Sequence, residues 1–130
     1  MELPTVIAIS GVDHVNIETR DVQTSVEFYS NFFGLRSGWR PAFDVSGAWL
    51  YAGQKAVIHL VERPDAPLAL ERPINHFAFQ ARGLKAFEKM LEEHVVKYSK
   101  SLVPGTEIVQ ILVRDPNNVG VECSFENAEL

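Results

Sequence analysis

The sequence has few of the features that mark the more easily recognised classes of protein. It contains one cysteine, Cys123, so no disulfide can form within the chain. No stretch approaches the roughly 18 apolar residues that are needed to span a membrane. The 12 basic residues are scattered among 17 acidic ones and form no basic stripe, so nucleic-acid binding has little support. Neither a Gly-rich phosphate loop nor a G-x-S-x-G nucleophile elbow occurs.

The composition that remains is that of an ordinary globular protein. A length of 130 residues is enough for one domain with its own core. Of these residues 46% are hydrophobic and 22% are charged, which is typical of globular proteins. The N-terminal segment MELPTVIAIS lacks a basic stretch followed by a long apolar run, so we expect no signal peptide. Cys123 lies in the apolar run VGVECSF and is expected to be a buried thiol. A cytoplasmic location fits these features.

Two short segments of the chain repeat one pattern. VDHVNI at 12–17 and INHFAF at 74–79 are both predicted strands with a histidine in the third place, His14 and His76. Because self-similarity at this distance is typical of a duplicated unit, the segments that follow each strand were compared.

A helix is predicted after each of these strands. Asp21 is a natural N-cap and Gly34 a natural stop for the first helix, and Gly83 precedes the second. Apolar residues recur at helical spacing and give each helix one apolar stripe. The stripes are Val22, Val26, Tyr29 and Phe33 on the first helix, and Leu84, Phe87, Met90, Leu91 and Val95 on the second.

Three strand candidates follow each helix. They are roughly LRSGWRP, AWLYAG and AVIHLVE in the first half, and VKYSKSL, EIVQILVRD and VGVECSF in the second. The turns GQK and PNN precede the last strand of each half. The connector RPDAPLALERP at 63–73 has three prolines and is typical of a linker. Each half therefore reads strand, helix, strand, strand, strand, which predicts an α+β fold.

Four metal-competent residues occupy matching positions in the two halves. His59 follows His14 by 45 residues, and Glu122 follows His76 by 46. If each sheet curls, the four side chains converge, and three imidazoles with a carboxylate suit a divalent transition metal. Taken singly, each histidine is better explained as a core or surface residue and Glu122 could be a half-exposed strand carboxylate, and it is the matching positions that favour a metal site. His94 lies outside the repeat, near a helix C-terminus, and is interpreted as structural.

Several aromatic and basic residues have two interpretations each. Phe43, Trp49 and Tyr51 lie on or near the third strand of the first half, where they could wall a pocket or serve as ordinary core and interface aromatics. Arg36 and Arg40 flank the second strand and could meet an acidic substrate or simply face solvent.

The segments DHV, NHF, DVQTSVEFYSNFFGLR and DPNNVGVEC resemble the vicinal oxygen chelate superfamily, which includes glyoxalase I, fosfomycin- and bleomycin-resistance proteins, methylmalonyl-CoA epimerase and extradiol dioxygenases. Over residues 11–125, GAWLY, IHLVE and NHFAFQ look most like glyoxalase-like proteins. The resemblance implies one domain over residues 1–130, with module one at about 11–62 and module two at about 74–125. Each module would be a βαβββ unit, and together they would form a cupped mixed sheet with the helices outside.

The resemblance also implies a ligand set. One divalent metal per site (Ni, Co, Zn, Mn or Fe) would be held at the positions matching His14, His59, His76 and Glu122. The residue matching His59 is a glutamate in bacterial glyoxalase I, so this chain departs from that pattern and Glu122 remains as the expected base. In fosfomycin-resistance enzymes and extradiol dioxygenases the ligands match His14, His76 and Glu122, and His59 would then be a fourth ligand or an acid/base beside the metal.

Three functions are compatible with this resemblance. The first is a lyase or isomerase of the lactoylglutathione-lyase type, acting on a small oxygen-chelating substrate through an enediolate-like intermediate. The second is an Fe(II) extradiol-type dioxygenase, and the third is a non-catalytic protein that binds a small molecule such as an antibiotic. Many compact members build each site from modules of two chains, so a homodimer with two sites is expected. No nucleic-acid or membrane partner is expected.

Overall fold

The computed structural model describes residues 12–66 and 76–126, and it contains the predicted order of elements twice. Module one consists of β1 (Val15–Thr19), α1 (Val22–Phe33), β2 (Arg36–Gly38), β3 (Gly47–Ala52) and β4 (Lys55–Glu62). Module two consists of β5 (His76–Gln80), α2 (Leu84–Glu93), β6 (Tyr98–Leu102), β7 (Val109–Arg114) and β8 (Gly120–Phe125). The predicted α+β fold of two βαβββ modules is confirmed.

Each module forms one mixed four-stranded sheet with the same topology. The strand orders are β1-β4-β3-β2 and β5-β8-β7-β6. In both sheets the first and last strands of the module pair in parallel, and the remaining pairs are antiparallel. A parallel pair needs a long crossover, and the helix with the two intervening strands supplies it. This pairing places the residues of the first strand directly beside those of the last.

The first helix begins and ends at the predicted residues. The side chain of Asp21 accepts a hydrogen bond of 3.1 Å from the backbone N–H of Thr24, which satisfies one of the free donors of the first turn. Gly34 ends the helix in the left-handed conformation, with φ of 68°. Tyr29, in the middle of the predicted apolar stripe, is completely buried.

The second helix ends earlier than its apolar stripe predicts. Leu84 and Leu91 are buried as expected, but the helix ends at Glu93. Val95 is 89% exposed with φ of 55°, so its assignment to the stripe was wrong. The backbone N–H groups of Val95 and Val96 turn back to the carbonyls of the last helical turn, and it is Val96 that packs against the core. A helix-ending turn therefore overrides the apolar period here.

Two further predictions concern the edges of the strands. The first strand begins at Val15, so His14 precedes it rather than lying within it. The second strand is limited to Arg36–Gly38. Of the predicted linker and the start of the second module, residues 67–75 lie outside the described part of the chain. The division into modules at 63–73 therefore stays a prediction.

The turn at residues 115–118 lies within module two and is hydrogen-bonded to helix α1 of module one. The hydroxyl of Tyr29 on α1 donates to Oδ2 of Asp115 over 2.8 Å, and Nδ2 of Asn117 donates to the hydroxyl of Ser25 over 3.2 Å. Oδ1 of Asp115 also accepts from the backbone N–H groups of Asn117 and Val119, which holds the turn in shape. Asp115, Asn117, Ser25 and Tyr29 are all buried. Side chains of module one therefore fix the turn that begins the last strand of module two.

Helix α1 packs against both hydrophobic cores. The ring of Phe33 lies 6.1 Å from that of Phe79 and 5.6 Å from that of Phe87, both in module two. In the other direction, Val121 of β8 is fully buried in the core of module one. Neither helix of the described chain is long and apolar enough to cross a membrane.

Candidate metal centre

In module one the two predicted ligands are in direct contact. The imidazoles of His14 and His59 are stacked, with ring centroids 3.8 Å apart and an interplanar angle of 12°. On its other side the ring of His59 stacks on the indole of Trp49, at 4.0 Å and 9°. We call these three rings the His14–His59–Trp49 stack. The stack forms because β4 pairs with both neighbouring strands, which places Asn16 and Trp49 on either side of His59.

The surroundings of His14 and His59 suit metal ligation. Nδ1 of His14 lies 2.7 Å from Oδ2 of Asp13, so this carboxylate orients the ring. Nε2 is then the nitrogen that can coordinate a metal ion. Burial and then the nearby charge of His14 lower the pKa of His59, while a hydrogen bond to the backbone of Ala56 acts in the opposite direction. A lowered pKa keeps His59 neutral near pH 7, which is the form that binds metals.

The stacked arrangement limits what these two rings can do together. The lone pair of an imidazole nitrogen lies in the ring plane, so a bound ion must lie close to the plane of each ring that ligates it. The planes of His14 and His59 are nearly parallel and 3.8 Å apart at their centroids. The two rings therefore cannot hold one ion until at least one of them rotates.

In module two the other predicted ligands form the matching pair. Nε2 of His76 lies 3.8 Å from Oε2 of Glu122, and the two side chains are 51% and 14% exposed. Glu122 lies opposite Ala78, two residues beyond His76, as His59 lies opposite Asn16, two residues beyond His14. The two pairs thus occupy the same positions of the same parallel strand pair in each module.

Within residues 12–66 and 76–126, no group of three or more His, Cys, Asp or Glu side chains is close enough to hold a metal ion. The structure brings together His14 with His59, and His76 with Glu122. It does not bring the two pairs together within one chain. By donor chemistry the four residues fit a divalent metal, and the assignment of all four to one site stays a prediction.

Comparison with known proteins identifies the family. The sequence model of the "Glyoxalase/Bleomycin resistance protein/Dioxygenase superfamily" matches residues 11–123. The chain belongs to this superfamily. The expected membership is therefore confirmed, and the match spans both modules and all four predicted ligands.

One sequence relative and two solved structures with glyoxalase names are similar to this chain. "Glyoxylase I 4" of Arabidopsis thaliana is 30% identical over 122 residues, which cover 88% of this chain and 70% of the relative. A glyoxylase/bleomycin resistance protein/dioxygenase domain from Frankia sp. EAN1pec has a TM-score of 0.77 at 22% identity, covering 92% of this chain and 100% of the other. A glyoxalase family protein from Bacillus anthracis has a TM-score of 0.77 at 19% identity, over 95% and 100%. The two structures show a shared fold.

A cavity of about 280 Å³ lies beside His59 on this glyoxalase-superfamily scaffold. Of the aromatic residues singled out in the sequence, Phe43 and Trp49 line it, and Tyr51 is not among its lining residues. Tyr51 instead donates a hydrogen bond of 2.7 Å to the backbone carbonyl of Trp39. Arg40 lines the cavity, whereas Arg36 is exposed on β2.

Sequence reasoning missed three residues that line this cavity, Asn16, Val45 and Val61. Asn16 was detectable in principle, because it is the neighbour of His59 once β1 and β4 are paired in register. Val45 follows β2 in an irregular segment, for which no periodicity exists to predict orientation.

His94 and Cys123 have the structural roles that the sequence predicts. Nδ1 of His94 lies 2.8 Å from the backbone carbonyl of Met90, and the ring contacts Phe32 edge-on. Cys123 is buried, and burial followed by the charge of Glu122 raises the pKa of its thiol to about 11. A thiol with so high a pKa stays protonated near pH 7, so it is a poor nucleophile.

Proposed function

We propose that this chain is a divalent-metal-dependent enzyme of the glyoxalase type, a lyase or isomerase that acts on a small substrate with two neighbouring oxygens. The observation that carries the proposal is the matched placement of two donor pairs, His14 with His59 and His76 with Glu122, at the same register of both modules. Membership of the superfamily and the Arabidopsis relative support the reaction class.

Each proposed ligand has a defined part in the site. A divalent metal bound there would act as a Lewis acid toward the substrate oxygens. His14 is oriented by Asp13 and presents Nε2, and His59 is held neutral by burial. Glu122 is mostly shielded from water and lies 3.8 Å from Nε2 of His76, so in the proposed site its carboxylate is the group that would take up and return a substrate proton.

The pairing of ligands within modules supports a site shared between two chains. Each module supplies two of the four proposed donors, a metal site needs at least three, and no cluster of three occurs among residues 12–66 and 76–126 of one chain. We therefore propose a homodimer in which the His14–His59 pair of one chain and the His76–Glu122 pair of its partner form one site. Closed two-fold symmetry then creates two equal sites per dimer.

Metal analysis of freshly purified protein tests the proposal. About one divalent ion per chain is expected, both as purified and after the apo-protein is reloaded. The variants His14→Ala/His59→Ala and His76→Ala/Glu122→Ala should each lose the metal and keep native circular dichroism. A matched control, His94→Ala, removes a histidine outside the site and should keep its metal. No metal in the wild type, even after reloading, would sink the enzyme proposal.

Mixing the two double variants tests the shared site. If sites are built between chains, half of the re-formed dimers are mixed, and each mixed dimer has one intact site out of two. Metal content should therefore recover to about a quarter of the wild-type value after unfolding and refolding the mixture. If each site lies within one chain, mixing restores no metal at all.

One observation favours a second function. The ring of His59 is stacked on Trp49 and on His14, so a site of His14, His76 and Glu122 without His59 would leave this stack partly intact. Two histidines and one carboxylate are the ligand set typical of Fe(II) oxygenases. An iron-loaded protein that consumes oxygen with a catechol, together with a His59→Ala variant that keeps its metal, would favour the dioxygenase over the lyase.

Composition supports a proposal for the cellular location and the partners of the protein. The net charge of −5 and the single buried cysteine support a cytoplasmic protein that acts on small molecules. We propose no nucleic-acid or membrane partner, since the sequence has no basic stripe. Fractionation of the source cells, with retention of the protein in the soluble fraction, checks this part of the proposal.

A further inference from the structure

The cavity beside His59 has the shape and chemistry of a selective pocket. Its apolar wall consists of Phe43, Val45, Trp49 and Val61. At about 280 Å³ it lies near the lower limit of pockets that hold small molecules, roughly 300 to 1,000 Å³, so its occupant is the size of a single ring. Phe43 and Val45 are also largely exposed for apolar residues, which makes the rim as apolar as the wall.

Two of the four wall residues are aromatic, Phe43 and Trp49. Phe43 lies 6.4 Å from Trp49 at an angle of 47°, and Trp39 meets Trp49 edge-on at 5.8 Å. His59 already covers one face of the Trp49 indole. Flat rings pack favourably against such aromatic edges and faces, with centroids about 4.5 to 7 Å apart. The wall therefore favours a flat ligand over a bulky aliphatic one.

Arg40 is the only side chain that carries a charge near pH 7 among the residues that line the pocket. Its guanidinium lies 4.8 Å from the ring centroid of Phe43. It also lies against the backbone at Gly47, where an added Cβ would come within 2.7 Å of Nη2 of Arg40. The backbone carbonyl of Leu60 would be closer still, so Gly47 is required by the packing of β3 on β4 and also leaves room for the guanidinium.

The guanidinium of Arg40 is incompletely satisfied by the protein. Its Nε is buried and, among residues 12–66 and 76–126, is the one such side-chain nitrogen or oxygen without a hydrogen-bond partner. None of the ion pairs within these residues includes Arg40. An unmet buried donor is costly, and a carboxylate that binds a guanidinium in two-point fashion would satisfy it.

We propose that this pocket binds flat aromatic monocarboxylic acids, with the carboxylate on Arg40 and the ring against Trp49 and Phe43. The inference names a ligand class for the site of the proposed function and in that sense rests on it. A single arginine suits one negative charge, and the small apolar cavity suits one ring. Asn16 and His59 also line the pocket, so it adjoins the donor pair of module one through His59.

Three probes of similar size test the proposal on the wild-type protein. Benzoate carries both features, benzamide lacks the charge, and cyclohexanecarboxylate lacks the flat ring. Trp49 lines the pocket and Trp39 contacts Trp49, so tryptophan emission can follow each titration. Benzoate should bind at least about tenfold more tightly than benzamide, because a hydrogen bond to a charged group is lost in the amide. It should also bind more tightly than cyclohexanecarboxylate.

Two matched variants assign the anion contact. Arg40→Met keeps an unbranched side chain and removes the guanidinium with its charge, and should weaken benzoate binding to the level of benzamide. Arg36→Met makes the same change on an exposed neighbouring strand and should leave benzoate affinity unchanged. Arg40→Lys should restore part of the affinity, and it replaces the methionine variant if that protein does not fold. Equal binding of benzoate and benzamide, or equal losses in both methionine variants, overturns the proposal.

The same titrations separate this inference from the proposed function. They are carried out on metal-free and on zinc-loaded protein. Arg40-dependent benzoate binding in a chain that takes up no metal supports the pocket and contradicts the metal enzyme. Metal uptake by a chain that binds none of the three probes supports the metal site and contradicts the pocket.

Discussion

The imidazole of His59 lies parallel to the indole of Trp49, with ring centroids 4.0 Å apart and an interplanar angle of 9°. On its opposite face the same imidazole is covered by His14. A proposed metal ligand is thus placed between another ligand and a wall residue of the pocket. Any rotation of this ring changes the surroundings of Trp49.

Metal binding is therefore expected to alter the emission of Trp49. Because the parallel rings of His14 and His59 cannot hold one ion together, at least one must turn on loading. The variant Trp39→Phe leaves Trp49 as the only tryptophan, and Zn²⁺ avoids quenching by a paramagnetic ion. Emission should change in step with zinc uptake. Stoichiometric uptake with an unchanged spectrum would show that the stack persists and that one of the two histidines is not a ligand.

Removal of the carboxylate behind His14 should weaken metal binding without abolishing it. Asp13 accepts from Nδ1 of His14 over 2.7 Å and is itself exposed, so Asp13→Ala should leave the fold unaffected. Loss of such a supporting contact lowers metal affinity by about 10- to 100-fold. Competition with a chelator measures the change, with Asp44→Ala as a control that removes an exposed acid elsewhere. Equal affinities of the two variants would contradict the supporting role of Asp13.

Asp115 should make stability depend on pH in an unusual direction. Burial raises its pKa above the ordinary 3.8, although hydrogen bonds from Val119, Tyr29 and Asn117 act in the opposite direction. Ionisation therefore destabilises the folded state. The contribution of Asp115 to the free energy of unfolding falls as pH rises from 3.8 through the raised pKa, and it is constant above that pKa. Asp115→Asn does not titrate at this position. As pH rises from 3.8 through the raised pKa, the free energy of unfolding of this variant should increase relative to that of the wild type.

Asp21 supplies the opposite case for the same experiment. The backbone N–H of Thr24 lowers the pKa of this N-cap carboxyl, so its stabilising contribution is present above pH 3.8 and is lost as pH falls through the lowered pKa. The free energy of unfolding of Asp21→Asn should therefore fall behind the wild type as pH rises. Urea unfolding of both variants at several pH values measures the two trends. Trends of the same sign would show that the environments of the carboxyls are wrongly assigned.

Val95 offers a gain in stability. A β-branched residue with φ of 55° is strained, and its side chain, at 89% exposure, contributes little burial in return. Val95→Gly should raise the free energy of unfolding by about 0.5 to 1 kcal/mol, after the greater backbone entropy of glycine is subtracted. Val45→Gly, at an exposed position of the described chain without positive φ, should give no gain. Denaturant unfolding of both proteins is the measurement.

The sequence predicted local structure well wherever a side chain acts on its own neighbourhood. Asp21 and Gly34 bound helix α1 because a cap bonds to the backbone within one turn. The end of α2 was misplaced at Val95 because the apolar period continued past the point where the backbone turns. The spacing of apolar residues alone does not indicate where a helix ends in such a turn.

The site was predicted in part. The equal spacing of His14 to His59 and of His76 to Glu122 indicated matching positions, and the parallel strand pairs show the two pairs in register. The stacking of His59 on Trp49 depends on the register of β3 with β4, which the sequence alone does not determine. Whether the two pairs meet is set by contacts between modules, in the proposed dimer by contacts between two chains, and no local sequence pattern reports such contacts.

The hydrogen bonds from Tyr29 and Asn117 across the module boundary have a consequence for how such a duplicated protein can change. They fix the turn from which β8 starts, and Glu122 lies only four residues beyond Asn118. A substitution at Ser25 or Tyr29 in one half would therefore shift the carboxylate carried by the other. The first half of the chain is therefore constrained by a donor that the second half carries, and the two halves cannot accumulate substitutions independently at this contact.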